Sequence, residues 1–335
     1  MNPLVSILIP AYNAGPWIAE ALDSAVRQTW PNKEIIVVND GSKDNTLEIA
    51  QRYASQNVRV VDQANQGAAA ARNKAFSISK GDYIQWLDAD DLLASDKIEC
   101  QMAVLQGCPN KRILMSSAWG AFYYRPSKAK FSPSPLWCDL SPVEFLTRKM
   151  GKDCHMQTAT WLVSRELTET AGPWDTRLLG DDDGEYFCRI KRASESIRFI
   201  REAKVFYRDI GQNRLSFIGN SNRKMEAHFL SMQMHIGYLR SLVDSERTRA
   251  ACLAYLQKYV LTFSPERPDI VDKMQEIARD LGGRLHAPRL SWKYKWLQQL
   301  FGLAATKQTQ FRLRGIKSSA LRTWDRVLCA LERGA

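Results

Sequence analysis

Apolar positions in the first hundred residues alternate between short dense runs and longer periodic stretches. Residues 4–9 (LVSILI) and 34–38 (EIIVV) are near-continuous apolar runs of strand length, which predicts strands buried on both faces. Between them, Ile18, Ala21, Leu22, Ala25 and Val26 recur at helical spacing over residues 17–28. Residues 46–54 and 68–78 predict two further helices, with strands at 58–61 and 83–87 (YIQWL). Strand and helix alternating in units of this size predict an α/β fold with a doubly wound, mostly parallel sheet and right-handed crossovers. Downstream, residues 96–105 read as a helix, 112–124 as one or two strands, and 158–164 as another strand. Pro126, Pro133 and Pro135 predict an irregular loop over 126–140. From about Asn220 the period is helical throughout, at 225–242, 247–263 and 270–281, which marks residues 219–335 as a helical extension of a domain at 1–218.

Composition changes this picture little. The chain of 335 residues has ordinary hydrophobic and charged fractions and no run of 18 apolar residues that would predict a spanning helix. Its N-terminus lacks a basic leader, and the first apolar stretch is short and broken by Pro10, so no secretory signal is expected. Seven cysteines without a CxxC pair favour reduced thiols and a cytoplasmic setting over a disulfide framework or a zinc site. Charge is more informative. Of the net +11, residues 284–335 carry +9, with 11 Lys and Arg against Asp325 and Glu332. In that segment Trp292, Trp296, Leu300 and Leu303 form an apolar stripe among basic residues. An interfacial helix on the cytoplasmic face of an anionic membrane and a helix folded back on the body are both compatible with it. Nucleic acid is not an expected partner, because no recognised module accompanies the basic tail.

The candidate chemistry sits where predicted strands end. Residues 10–13 (Pro10, Ala11, Tyr12, Asn13), 39–42 (with Asp40, Gly41 and Ser42) and 88–91 (Asp88, Ala89, Asp90, Asp91) are polar loops after three separate strands. In a doubly wound sheet such loops converge on one edge, where ligands bind. Three carboxylates in four positions repel one another, and a hard divalent cation such as Mg²⁺ or Mn²⁺ relieves that cost. The bland alternative is an N-cap for a helix starting near Leu92. No GxGxxG follows the first strand, so a dinucleotide site is excluded. The stretch GAAAARNKA from Gly67 offers either a phosphate-favouring helix start or a tightly packed helix.

Together VSILIPAYN, EIIVVNDGSKDNT, GAAAARNKA and YIQWLDADD resemble, in order and spacing, the family 2 inverting glycosyltransferases of the GT-A fold. The resemblance covers roughly the first hundred residues. It implies a nucleotide-sugar-binding half at 1–105 and an acceptor half at 106–218, and the composition of the 126–140 loop suits one covering that acceptor side. It also implies that Pro10, Tyr12 and Asp40 line the donor nucleotide, that Arg72 lies near its base or diphosphate, and that Asp88 and Asp90 form a DxD element with Asp90 on the metal. Asp91 is an additional carboxylate that serves either the metal or a helix cap.

A second acidic cluster, Asp181, Asp182, Asp183 and Glu185, precedes a predicted helix containing Tyr186 and Arg189. Acids at a helix start also favour its dipole, which is the plain explanation of one or two of them. By the family's register Asp183 is the general base, with Glu185 its rival and Asp182 a helix-start acid. Arg208 and Arg214 are candidate diphosphate contacts, or surface arginines. His155 is a candidate acceptor contact, though a lone His is more often structural.

The implied function is metal-dependent transfer of a sugar, with inversion, from a nucleoside-diphosphate sugar (a uridine donor by family frequency) to a hydroxyl of a carbohydrate or lipid-linked acceptor. Two other classes stay open. A sugar nucleotidyltransferase would show a Gly-rich phosphate loop where this chain has PAYNAG, and a non-catalytic carbohydrate- or membrane-binding protein would not need Asp90 and Asp183.

Overall fold

The computed structural model describes residues 2–106, 110–211, 218, 221–287 and 295–334. Four parallel strands build its first half: β1 (Val5–Ala11), β2 (Lys33–Asp40), β3 (Val58–Gln63) and β4 (Tyr83–Trp86). Helices α1 (Ile18–Val26), α2 (Thr46–Gln51) and α3 (Ala68–Ile78) connect them. The second half is mixed. Strands β5 (Leu92–Leu93), β6 (Ile113–Phe122), β7 (Lys130–Phe131), β8 (Leu162–Ser164) and β9 (Ser196–Arg208) complete one sheet in the order β3-β2-β1-β4-β8-β6-β9-β5, with β7 as a hairpin on β6. β8 runs antiparallel to both β4 and β6, while β6 and β9 are parallel.

Period-two alternation divides the core. Leu8, Ile36, Val38, Ile84 and Trp86 face one side, and Ile7, Ile9, Ile35, Val37 and Leu87 face the other, where α1 and α4 (Lys97–Gln106) cover them. The first side carries α3, α5 (Pro142–Gly151), α6 (Arg165–Ala171) and α7 (Asp182–Ala193). It also carries α8 (Asn222–Leu242), α9 (Glu246–Phe263) and α10 (Pro268–Asp280). Helices α8–α10 therefore share one hydrophobic core with the sheet. Met225, Met232 and Met274 are fully buried in it as packing residues.

One expectation changes, and one segment is anchored more firmly than its composition indicates. No helix starts at Leu92: Leu92 and Leu93 pair with Phe206 and Val205 of β9, so the carboxylates at 88–91 cap no helix. In the 126–140 segment, Lys128 and Lys130 line a cavity with Phe122, Tyr123 and Arg125, while the later residues pack on the body. Leu136 is fully buried, Trp137 stacks on Phe199 at 5.6 Å, and Leu140 bridges to Ile197, which binds this stretch to β9. Apolar anchors within a proline-rich loop explain this attachment.

The last helix, α11 (Lys295–Gly334), is broken at Gly302, where φ is 77°. It folds back on the body: Lys307 Nζ donates to the carbonyls of Thr262 and Ser264 and pairs with Glu266 at 2.7 Å, and Arg125 pairs with Asp325 and Glu332. Of the stripe expected from sequence, Trp292 lies outside the described residues, while Leu300 is exposed. No helix among the described residues is long and apolar enough to cross a membrane.

Candidate active site

The loops after β1, β2 and β4 do converge on one edge of the sheet. The first two are stitched together: Ser42 Oγ accepts from Asn13 N at 2.9 Å, and Asn13 Oδ1 accepts from Lys43 N at 2.8 Å. Asn13 adopts a left-handed backbone (φ 47°) to make this crossing. Gly41 is also left-handed (φ 68°), and a Cβ there would lie 2.7 Å from Asn65 N, so glycine is required. Tyr12 stands half exposed beside this crossing.

Asp40 is almost fully buried, and its carboxylate is engaged by protein donors. Oδ1 accepts from Gln63 Nε2 (2.8 Å) and Gln66 N (2.9 Å), and Oδ2 accepts from Gly67 N (2.8 Å). Asp40 thus fixes the turn that leads into α3. Asn39 beside it donates to Asp62 at 2.7 Å, and its buried Oδ1 has no hydrogen-bond partner among the described residues.

Arg72 is the hub of the site, a role that the sequence did not indicate. Its guanidinium is buried and donates to Asp88 Oδ1 (2.8 Å) and Asp182 Oδ2 (2.6 Å), while lying over the Trp174 ring at 4.4 Å. One cation therefore joins the strand-end carboxylates to the start of α7, 110 residues away. Trp174 is held in turn by stacking on Tyr186 with ring centroids 4.0 Å apart. Asp182 is accordingly more than a helix-start acid. Burial pushes its carboxyl up to about 6 even though Arg72 opposes the shift.

Asp90 differs from both neighbours. No donor side chain reaches its carboxylate among the described residues, and burial followed by the charge of Asp88 pushes it up to about 7. Asp91 is buried, accepts from Arg208 N at 2.8 Å, and leaves Oδ2 unpaired. Burial and then Asp90 hold it well above the ordinary carboxylate range. Among the described residues no three His, Cys, Asp or Glu side chains form a ready cage for a metal. The donor set nevertheless suits Mg²⁺ or Mn²⁺, which take one or two carboxylates and fill the remaining positions with substrate phosphates and water.

Arg208 is not open to a diphosphate. Its side chain is 1% exposed; Nε donates to Asp90 O (2.9 Å), one terminal nitrogen donates to Tyr123 O (3.3 Å) and the other pairs with Glu20 (2.6 Å). The guanidinium also lies over Trp17 and Phe122. Arg208 anchors the carboxylate loop to β9 and α1. We expect Arg208→Met to destabilise the fold by about 2–4 kcal/mol, from several charged hydrogen bonds discounted for the partial exposure of Glu20. Urea unfolding measures this, and an unchanged midpoint would remove the anchoring role. Arg214 lies outside the described residues.

The acidic cluster on α7 separates by direction. Glu185 is fully buried and consumed: Arg189 donates to both its oxygens (2.7 and 2.8 Å), and Tyr238 Oη donates at 2.7 Å. Asp181, in a left-handed conformation (φ 58°), accepts from Ser231 Oγ at 2.7 Å and lies 4.0 and 3.9 Å from His228 and His235 of α8. Asp181 and Asp183 both line an open cavity, but Asp181 is held by Ser231 and the two histidines, whereas Asp183 pairs with no Lys or Arg side chain among the described residues; Thr158 Oγ1 lies 3.4 Å from it. Burial and then the charge of Asp181 raise its carboxyl above the ordinary range, and Arg72 opposes this. Asp88 also raises it, so the two carboxylates lie within electrostatic reach.

That cavity, of about 440 Å³, is walled on its far side by Lys149, His155, Tyr255, Lys258 and Tyr259. Burial lowers the pKa of His155, and its ring packs on Trp119 at 5.2 Å. Two of these walls come from α5 and α9. Their contribution was not visible in sequence, because a helical period indicates only which side packs.

A family model for glycosyl transferase family 2 matches residues 6–128. An uncharacterized glycosyltransferase of Rickettsia prowazekii (strain Madrid E) is 44% identical over 252 residues, covering 73% of this chain and 74% of that protein. Another, from Rickettsia typhi (strain ATCC VR-144 / Wilmington), is 33% identical over 211 residues, covering 61% of this chain and 63% of the relative. The chain thus spans less than two thirds of the length of the second relative. The crystal structure of S. aureus TarS 1-349 in complex with UDP-GlcNAc superposes with a TM-score of 0.65 at 15% identity, over 82% of this chain and 81% of that one, which is a likeness of fold.

Proposed function

The chain belongs to glycosyl transferase family 2, and from that premise we propose that it transfers a sugar, with inversion, from a uridine-diphosphate sugar to an acceptor hydroxyl in glycan, polysaccharide or glycolipid synthesis. The observation that carries this reading is the division of carboxylates across Arg72: Asp88 and Asp90 on the donor side, Asp183 on the cavity. The fold shared with a UDP-GlcNAc complex supports the uridine donor.

In this mechanism the donor nucleotide rests on the stitched loops around Pro10, Ala11, Tyr12, Asn13, Asp40, Gly41 and Ser42, with Asp88 and Ala89 beneath the sugar and ribose. Asp183 accepts the proton of the acceptor hydroxyl, whose oxygen attacks the anomeric carbon. The bond from that carbon to the diphosphate oxygen breaks on the opposite face, and the electron pair leaves with the nucleoside diphosphate. Asp90, together with Asp88, would hold a Mg²⁺ or Mn²⁺ ion, whose chemistry there is to neutralise charge on the departing diphosphate. Arg72 keeps the two halves in register, and the buried aromatic layer of Trp86, Trp174 and Tyr186 stiffens the floor.

Release of nucleoside diphosphate from a panel of sugar nucleotides with Mn²⁺ tests the proposal, and absence of release from every donor would overturn it. The pH dependence follows from Asp183. The base works only when deprotonated, and its pKa is raised, so kcat/KM should climb with pH through a midpoint above the usual ~3.9 of an aspartate before levelling. A rate unchanged down to pH 4 would contradict this.

A further inference from the structure

Beyond Gly302, α11 is held at both ends. Lys307 is tied to the end of α9, and Asp325 and Glu332 are tied to Arg125. The intervening helix is about 38 Å long at ~1.5 Å per residue. Its body side also carries Cys329, whose thiol reaches Tyr124 O, and Arg322, which abuts Gly211.

The opposite side is apolar and bare. Leu313, Ile316, Ala320, Trp324, Val327 and Leu331 follow one another at intervals of three and four, so they form a single stripe. The five large members are 48–66% exposed. Arg312 and Lys317 flank the stripe and, with Arg326, are exposed. The acids between residues 303 and 334 are Asp325 and Glu332, and both are spent on Arg125. The solvent side of the helix thus presents aromatic and aliphatic side chains beside cations and no unpaired carboxylate.

We propose that this face of α11 lies flat on an anionic lipid surface, with its apolar stripe in the headgroup region and its Lys and Arg residues on the lipid charges. Interfacial helices bind through this combination of buried apolar area and attraction to anionic lipid. The helix lies on the surface and does not cross it, since it is not apolar enough to span. A second copy of the chain fits less well, because two facing stripes would also bring their flanking cations together.

The placement also bears on the site. Trp324, Leu321 and Asp325 share a cavity of about 450 Å³ with Tyr123, Arg125 and Asp209. Asp209 directly follows Arg208, whose backbone N–H holds Asp91. Docking through α11 therefore turns this cavity, next in the chain to the Arg208 anchor, toward the lipid. The docking itself does not depend on the donor chemistry.

Cosedimentation of the full chain with vesicles of phosphatidylglycerol and phosphatidylcholine tests the proposal, with phosphatidylcholine vesicles as reference. At low salt we expect binding at least tenfold tighter to the anionic vesicles, weakening as salt rises. Ile316→Gln combined with Leu331→Gln should loosen binding at least tenfold while leaving the melting temperature unchanged, because both side chains are exposed. Lys317→Gln with Arg326→Gln should reduce the preference for anionic lipid. Failure to sediment at low salt, or full binding by the apolar double variant, would overturn the docking. So would a concentration-dependent dimer that the apolar variant dissolves while vesicles leave it intact, which would assign the stripe to a second copy. Nucleoside-diphosphate release measured on the same samples separates a failure of docking from a failure of the transferase reading.

Discussion

Replacing Asp183 by Asn should lower glycosyl transfer by about 10²–10⁴-fold, the usual contribution of a general base, while donor affinity stays close to that of the parent chain. Asn preserves the shape and one oxygen acceptor at the cavity wall but cannot take the proton. The neighbouring carboxylates provide controls with different expectations. Glu185→Gln removes the charge that Arg189 and Tyr238 hold in the core, so it should lower stability and leave transfer per folded molecule largely intact. Asp182→Asn weakens the Arg72 bridge to Asp88, so it should reduce both donor affinity and transfer. Transfer and donor affinity measured side by side for the three variants give the answer. If Glu185→Gln abolished transfer while Asp183→Asn retained it, the base would be Glu185.

The second large effect concerns the strand-end carboxylates. Turnover should require Mg²⁺ or Mn²⁺ and disappear in excess EDTA. A binding measurement tests the same point without turnover. With donor and Mn²⁺ at a hundred times the dissociation constant, the parent chain should gain about 2.7 kcal/mol of stability by mass action. Asp90→Ala should lose the part of this gain that depends on metal. It should also relieve the repulsion that raises Asp91, because the charge of Asp90 is a cause of that shift second only to burial. Full activity in EDTA, or an undiminished Mn²⁺ effect in the variant, would exclude Asp90 as the metal residue.

The sequence by itself determined the elements of the first hundred residues and the edge on which their loops meet. Both follow from local pattern: dense apolar runs of strand length at 4–9 and 34–38 read as buried strands, and parallel strands joined by crossover helices put their C-terminal loops at one end. It also determined that residues 88–91 and 181–185 are chemically unusual, since clustered carboxylates are costly anywhere in a fold. Pattern could not show which carboxylate in each cluster is engaged. Asp88, Asp182 and Glu185 are paired with arginines, whereas Asp90 and Asp183 are not, and those pairings join residues up to 110 positions apart in the chain. Arg208 looked free in sequence and proved to be an interior anchor, because its partners Glu20, Asp90 and Tyr123 come from three distant segments. The end of the chain makes the same point. Its charge and apolar content were legible from residue types, but only docking of Asp325 and Glu332 onto Arg125 decided which face of α11 remained in solvent. Periodicity gives a helix two faces; contacts with the rest of the fold decide which one is covered.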